Sequence, residues 1–265
     1  MKIFYDIDTQ NDFMNKDGAL YVPDAEPIKP NLRKLTNYTR ENFIPVIGSV
    51  DRHFGTPEYK HREGELQRNG GPFPDHCMNG TVGQMKILET TLQLNNNRFE
   101  EAYDEALYIP HMMYHGYPKE PIPKAVREFW KDSKELKKVW EENLKGIDQG
   151  FLDETIRNID SILKKETKPQ GIYFEKQSYD VFTNPAFPAF LDMADIKQAV
   201  VYGVATDYCV KAAVLGMQKK GIQCYVVEDV IKGVAPETTK KALEEMTKAG
   251  AKLITIKEVL GGKII

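Results

Sequence analysis

The chain has 265 residues, 28% of them charged and 41% hydrophobic, with a formal net charge of −3 at pH 7. That suits one large α/β domain, or one domain with an embellishment, and it lacks the basic footprint of a nucleic-acid or anionic-membrane binder. No apolar run reaches the ~18–20 residues of a membrane span, and three cysteines (Cys77, Cys209, Cys224) make no disulfide framework. The opening Met1-Lys2-Ile3-Phe4-Tyr5-Asp6 has no signal-type apolar core, so the expected compartment is the cytoplasm.

Ile3 to Ile7 reads as a first strand, followed by the polar turn Asp8-Thr9-Gln10-Asn11-Asp12-Phe13. Pro27 to Asn42 has helical spacing, with Leu32, Leu35 and Tyr38 on one face. Phe43 to Val50 reads as a second strand with Pro45 near its start, and Asp51-Arg52-His53 follows at once. Residues 54–81 are loop-like, rich in Gly, Pro and charge. From about 95 to 168 the chain is polar and helix-rich: Phe99 to Leu107, Ile122 to Leu144 and Phe151 to Lys165 all have helical spacing. This segment reads as a helical insertion within a single domain spanning 1–265. Strand–helix alternation then resumes with strands at Gly171–Phe174, Gln198–Tyr202, Ile222–Val227 and Lys252–Ile256, and with helices at Lys211–Lys220 and Pro236–Ala249. Such alternation predicts a mostly parallel sheet covered on both faces.

Polar residues follow four of these strands: Asp8, Asp51 with His53, Lys176, and Cys209. In open parallel sheets that edge is where ligands bind. Cys209, where a strand gives way to a helix, is the candidate nucleophile, because helix-terminal N–H groups favour a thiolate and can hold an oxyanion. Asp8 is the candidate base and acid, and Lys176 the cation that supports both. Asp6, one strand period earlier, suits a buried hydrogen-bonded role. Asp51, His53 and His76 offer one carboxylate and two imidazoles, a set suited to Zn²⁺, Fe²⁺ or Mn²⁺. His111 and His115 have i, i+4 spacing but lack the glutamate of the zinc-protease motif, and they read as packing or part of a lid loop. Cys77, Cys224, Trp130 and Trp140 read as structural.

Together, Asp8-x-Gln10-x-Asp12-Phe13, Asp51-x-His53, Gly71-Pro72-Phe73-Pro74-x-His76-Cys77, Phe174-x-Lys176 and Gly203-Val204-Ala205-Thr206-x-x-Cys209-Val210 resemble the nicotinamidase/pyrazinamidase branch of the isochorismatase-like cysteine hydrolases. The resemblance implies a Rossmann-like, six-stranded parallel sheet in the order 3-2-1-4-5-6. It implies a catalytic triad of Asp8, Lys176 and Cys209, and an oxyanion hole from the Ala205 and Cys209 amides with a cis Val204–Ala205 bond. It further implies aromatic walls at Phe13 and Phe73, and one divalent metal, zinc first, on Asp51, His53 and His76. By the same resemblance the metal would orient a pyridine ring, and nicotinamide would be cleaved to nicotinate and ammonia through a thioester. Some relatives add a glutamate ligand; Glu58, Glu63 and Glu65 are candidates. Arg52 replaces the tryptophan usual between the first two ligands and is expected to point away. The implied partner is a small carboxamide, not nucleic acid or membrane, with homo-oligomerisation left open. The competing readings are a metal-free amide or ureide hydrolase of the N-carbamoyl-amine type, and a non-catalytic binding module that uses the insertion.

Overall fold

A computed structural model describes residues 1–92, 106–109 and 171–262. Most of the segment expected to be a helical insertion lies outside these residues, including His111, His115, Trp130 and Trp140. The sheet is built from β1 (Lys2–Ile7), β2 (Val46–Asp51), β3 (Ala106–Ile109), β4 (Gly171–Lys176), β5 (Gln198–Val204), β6 (Gln223–Lys232) and β7 (Lys252–Ile254). Every pairing is parallel, in the order β3-β4-β2-β1-β5-β6-β7. The six strands expected from sequence therefore occur in the expected order. A short seventh strand, β3, joins the edge beside β4. It overlaps the end of the segment expected to be helical, Phe99–Leu107: Ala106 and Leu107 pair with Gly171 and Ile172 instead. Ladder hydrogen bonds there override local helical spacing.

Central strand β1 is almost wholly buried, as parallel strands covered on both faces are. Its alternating side chains feed two cores. Ile3, Tyr5 and Ile7 pack with Phe187, Val210 and Val214 on one face, while Phe4 packs with Leu32, Leu35 and Tyr202 on the other. The helices are α1 (Asn11–Met14), α2 (Lys29–Glu41), α3 (Ala186–Met193), α4 (Lys211–Lys219), α5 (Pro236–Lys248) and α6 (Ile256–Leu260). No helix among the described residues is long and apolar enough to cross a membrane.

Several boundaries differ from expectation for local reasons. β2 begins at Val46, not Phe43: Phe43 takes a left-handed φ of 53°, and Pro45 has no N–H to give a ladder. β7 stops at Ile254 because Thr255 and Glu258 form a capping box that starts α6. Between β5 and α4 the chain makes a π-type turn over Thr206–Val210, which carries Cys209. The Val204–Ala205 peptide is cis.

Candidate active site and metal centre

Strand ends set the site. Asp8 leaves β1 with φ 49°, a left-handed conformation that Asp tolerates, and its N–H donates to the Ser49 carbonyl at 3.1 Å. Asp51 and Lys176 close β2 and β4 in register with each other. Cys209 comes off β5 through the π-type turn. These four side chains converge although they are distant in sequence.

Lys176 is fully buried and stands at the centre. Its Nζ lies 2.8 Å from Asp8 Oδ2 and 3.6 Å from Cys209 Sγ, and it forms a close ion pair with Asp51 Oδ1. Asp8 Oδ1 accepts a hydrogen bond from Ser49 Oγ at 2.7 Å. Burial alone would lower the Lys176 pKa, but the Asp51, Asp8 and Cys209 charges outweigh it and hold the ammonium well above its ordinary value. Burial raises Asp8, against the pull of Lys176. It raises Cys209 strongly, again against Lys176. At rest the sulfur is thus a thiol, with an acceptor and a fixed cation beside it.

Beside this trio, Asp51, His53, Glu65 and His76 present ligand atoms all within 4.8 Å of one another. His53 is fully buried, yet neither ring nitrogen makes a hydrogen bond among the described residues. The facing oxygens are Glu65 Oε1, 3.4 Å from Nε2, and Glu63 Oε1, 3.8 Å from Nδ1. His76 Nδ1 lies 2.7 Å from the Pro74 carbonyl, which leaves Nε2 facing Asp51 Oδ2 at 3.6 Å and Glu65 Oε1 at 3.7 Å. Orphaned imidazole nitrogens amid carboxylates, one ring steered by a backbone carbonyl, fit a divalent cation.

Of the three candidate glutamates, only Glu65 belongs to this cluster among the described residues. Glu65 faces the histidines, with its Oε2 held by the Tyr179 N–H at 3.0 Å. Glu63 accepts from the Phe54 and Gly55 N–H groups and so braces the loop behind His53. Glu58 is exposed. Arg52 points away, its Nη1 2.7 Å from Glu175 Oε1.

Two motif positions that the sequence marked without a role prove to be braces. The Gln10 side chain accepts from Asp51 N at 2.6 Å and donates to Asp51 O at 2.7 Å, standing in for a neighbouring strand. Asp12 Oδ2 accepts from the Cys77 N–H at 2.6 Å, which ties the His76 loop to the first turn. Asp6 is buried in a separate pair with Lys86 at 2.7 Å. Cys77 and Cys224 are fully buried, and burial pushes the Cys224 thiol up to about 12.

A pocket of about 520 Å³, its mouth included, opens over these groups. Phe13, Phe73, Ala205 and Cys209 line it with Asp51, Glu65 and His76. Tyr208 also lines it, edge-on to Phe73 with centroids 5.4 Å apart. Tyr21, Tyr179 and Val234 shape the mouth. None of these four was singled out in sequence, although Tyr208 directly precedes the candidate nucleophile.

Residues 148–258 match the isochorismatase domain model. The nicotinamidase of Escherichia coli (strain K12) is 41% identical over 64 residues, 23% of this chain and 30% of that protein. The nicotinamidase/pyrazinamidase of Mycobacterium tuberculosis (strain ATCC 25618 / H37Rv) is 34% identical over 65 residues, 24% of this chain and 35% of that protein. The aligned stretches thus span about a third of those relatives. Among solved structures, the pyrazinamidase of Pyrococcus horikoshii in complex with zinc superposes with a TM-score of 0.59 at 20% identity, covering 96% of this chain and 98% of that one. PnC1 from L. infantum in complex with nicotinate gives 0.59 at 16%, covering 96% and 92%. At these identities the structural matches speak for the fold.

Proposed function

We infer, from the isochorismatase-like domain that this chain carries, that it is a cysteine amidohydrolase converting nicotinamide, or a close pyridine-type carboxamide, to the acid and ammonia. The observation that carries the reading is the meeting of Asp8, Lys176 and Cys209 beside the Asp51, His53, Glu65 and His76 group, next to a pocket lined by Cys209, Asp51, Glu65 and His76.

The reaction proceeds from the resting thiol. Asp8 accepts the Cys209 proton as the sulfur attacks the carboxamide carbon, and Lys176 offsets the charge that develops beside it. The Ala205 and Cys209 amides receive the oxyanion. Asp8 returns the proton to the departing ammonia, leaving a thioester on Cys209. Asp8 then draws a proton from a water that attacks the thioester carbonyl, and the carboxylic acid product leaves the restored thiol. Phe13 and Phe73 pack against the ring. A divalent ion on Asp51, His53, Glu65 and His76 would supply a Lewis-acid contact for the pyridine nitrogen; the mixed N/O donor set suits Zn²⁺, with Fe²⁺ and Mn²⁺ as alternatives. The unpartnered ring nitrogens of His53 favour this reading over a metal-free ureide hydrolase.

The test is ammonia release from nicotinamide by purified protein, before and after chelation and metal re-addition, with Cys209→Ala alongside. We expect turnover that needs both metal and Cys209, and a Cys209→Ala protein that still binds metal. Full activity in that variant would remove Cys209 from the reaction; activity indifferent to chelation would remove the metal.

A further inference from the structure

Asp207 lies two residues before Cys209, inside the Thr206–Val210 turn, and is 5% exposed. The donors to its carboxylate lie outside that turn. Oδ1 accepts the Val234 N–H at 2.9 Å, and Oδ2 accepts the Ala235 N–H at 3.3 Å and a short hydrogen bond from the Thr238 hydroxyl. These donors belong to the β6–α5 loop and the first turn of α5. Ala235, at the N-cap of this 13-residue helix, makes no side-chain cap, and Asp207 supplies one from 28 residues away. The loop is bare where it passes the carboxylate: a Cβ on Gly233 would lie 1.9 Å from Thr239 Oγ1 and 3.0 Å from Asp207 Oδ1.

Two walls of the pocket meet at this clamp. Ala205, Tyr208 and Cys209 come from the turn or its approach, and Val234 comes from the loop. Asp207 itself is not among the pocket-lining residues. We propose that Asp207 is a positioning residue: by fixing the nucleophile turn against α5, it holds the Ala205 and Cys209 amides where an oxyanion forms. The inference rests on the amidohydrolase reading above. It predicts that loss of the clamp harms acyl transfer, which builds an oxyanion, far more than simple displacement at the same sulfur, which builds none.

The experiment compares two rates in the metal-loaded protein. Acyl transfer is followed with nicotinamide and with 4-nitrophenyl acetate. Alkylation is followed with iodoacetamide, where a sulfur–carbon bond forms, iodide leaves and the thiol proton goes to solvent. Cys77 and Cys224 are fully buried, so alkylation reports Cys209. For Asp207→Ala we expect acyl transfer to fall by about 10- to 100-fold and alkylation to change by less than about threefold. Thr238→Val, which removes one arm of the clamp, should give a smaller loss with the same selectivity. Asp207→Asn keeps one acceptor and should recover part of the rate. If Asp207→Ala does not fold, Thr238→Val and Asp207→Asn decide by the same ratio. Parallel loss of both rates, or no loss of either, would reduce Asp207 to a structural cap and overturn the proposal. Wild-type protein that cleaves the ester but not nicotinamide would refute the substrate assignment instead, and the ester-to-alkylation ratio would still decide the role of Asp207.

Discussion

Replacing Lys176 by methionine removes an ammonium that two buried carboxylates share. At 2.8 Å from Asp8 Oδ2, and with an effective dielectric of about 20, the attraction to Asp8 alone is roughly 6 kcal/mol. Desolvation of the ammonium offsets part of it. Breaking a buried pair from one side costs about 3–5 kcal/mol, because the remaining charge is left uncompensated. In the variant, Asp8 and Asp51 face each other without a cation, and one of them takes up a proton. Its folded pKa then exceeds its unfolded value (3.8 for Asp8), so the folded variant binds more protons than the unfolded chain. Its stability therefore falls as pH rises through that window, and its deficit against wild type is largest near neutrality and above. The assay is urea unfolding of both proteins with chelator present, at about pH 8 and about pH 5. We expect a deficit of about 3–5 kcal/mol at the higher pH and a clearly smaller one at the lower. Equal stability at the higher pH, or a deficit that does not shrink on acidification, would refute the claim that Lys176 holds two ionised carboxylates.

Glu65→Gln should weaken zinc binding by roughly 10- to 100-fold in competition with a chromophoric chelator, whereas exposed Glu58→Gln should leave it unchanged; equal affinities for the two variants would remove Glu65 from the ligand set. Ser49→Ala deletes the donor to Asp8 Oδ1. Burial already raises the Asp8 pKa, and loss of this bond to the charged form raises it further. Because Asp8 must be ionised to accept the thiol proton, the acid limb of the kcat/KM profile should move upward by on the order of half to one pH unit. An unmoved limb would argue that another group is the base.

The strands and the polar residues at their ends were legible because they are written in short, local signals, whereas the strand order came from the family resemblance. Apolar runs bounded by polar turns gave β1, β2, β4 and β5, and the polar residues at or just past their ends, Asp8, Asp51, Lys176 and Cys209, are those that come together. What escaped were residues whose partners are remote. Nothing near Glu63, Glu65 or Glu58 in sequence tells which of them faces the histidines; in the fold Glu65 does, held by the Tyr179 N–H from 114 residues away. Asp207 stood as an unspecified position within the Cys209 motif, since its three donors lie 27 to 31 residues downstream. Helix α6 carried a readable signal, Thr255-x-x-Glu258, which the apolar run before it obscured. β3 exists through its pairing with β4, and a four-residue run carries no such information by itself.

The placement of the two lysines also bears on how the chain is made. β1, carrying Asp6 and Asp8, is made before the strands it pairs with, and is hydrogen-bonded on one side to β2 and on the other to β5. Lys86 arrives early enough to neutralise Asp6 while the nascent half-sheet is short. Asp8 waits for Lys176, and the open edge of β1 waits for Gln198–Val204. At about 5–20 residues per second that wait is roughly ten to thirty seconds. Through it the part of the sheet already made holds an unmatched acidic group and an unsatisfied strand edge, an interval in which holding chaperones have the most to protect.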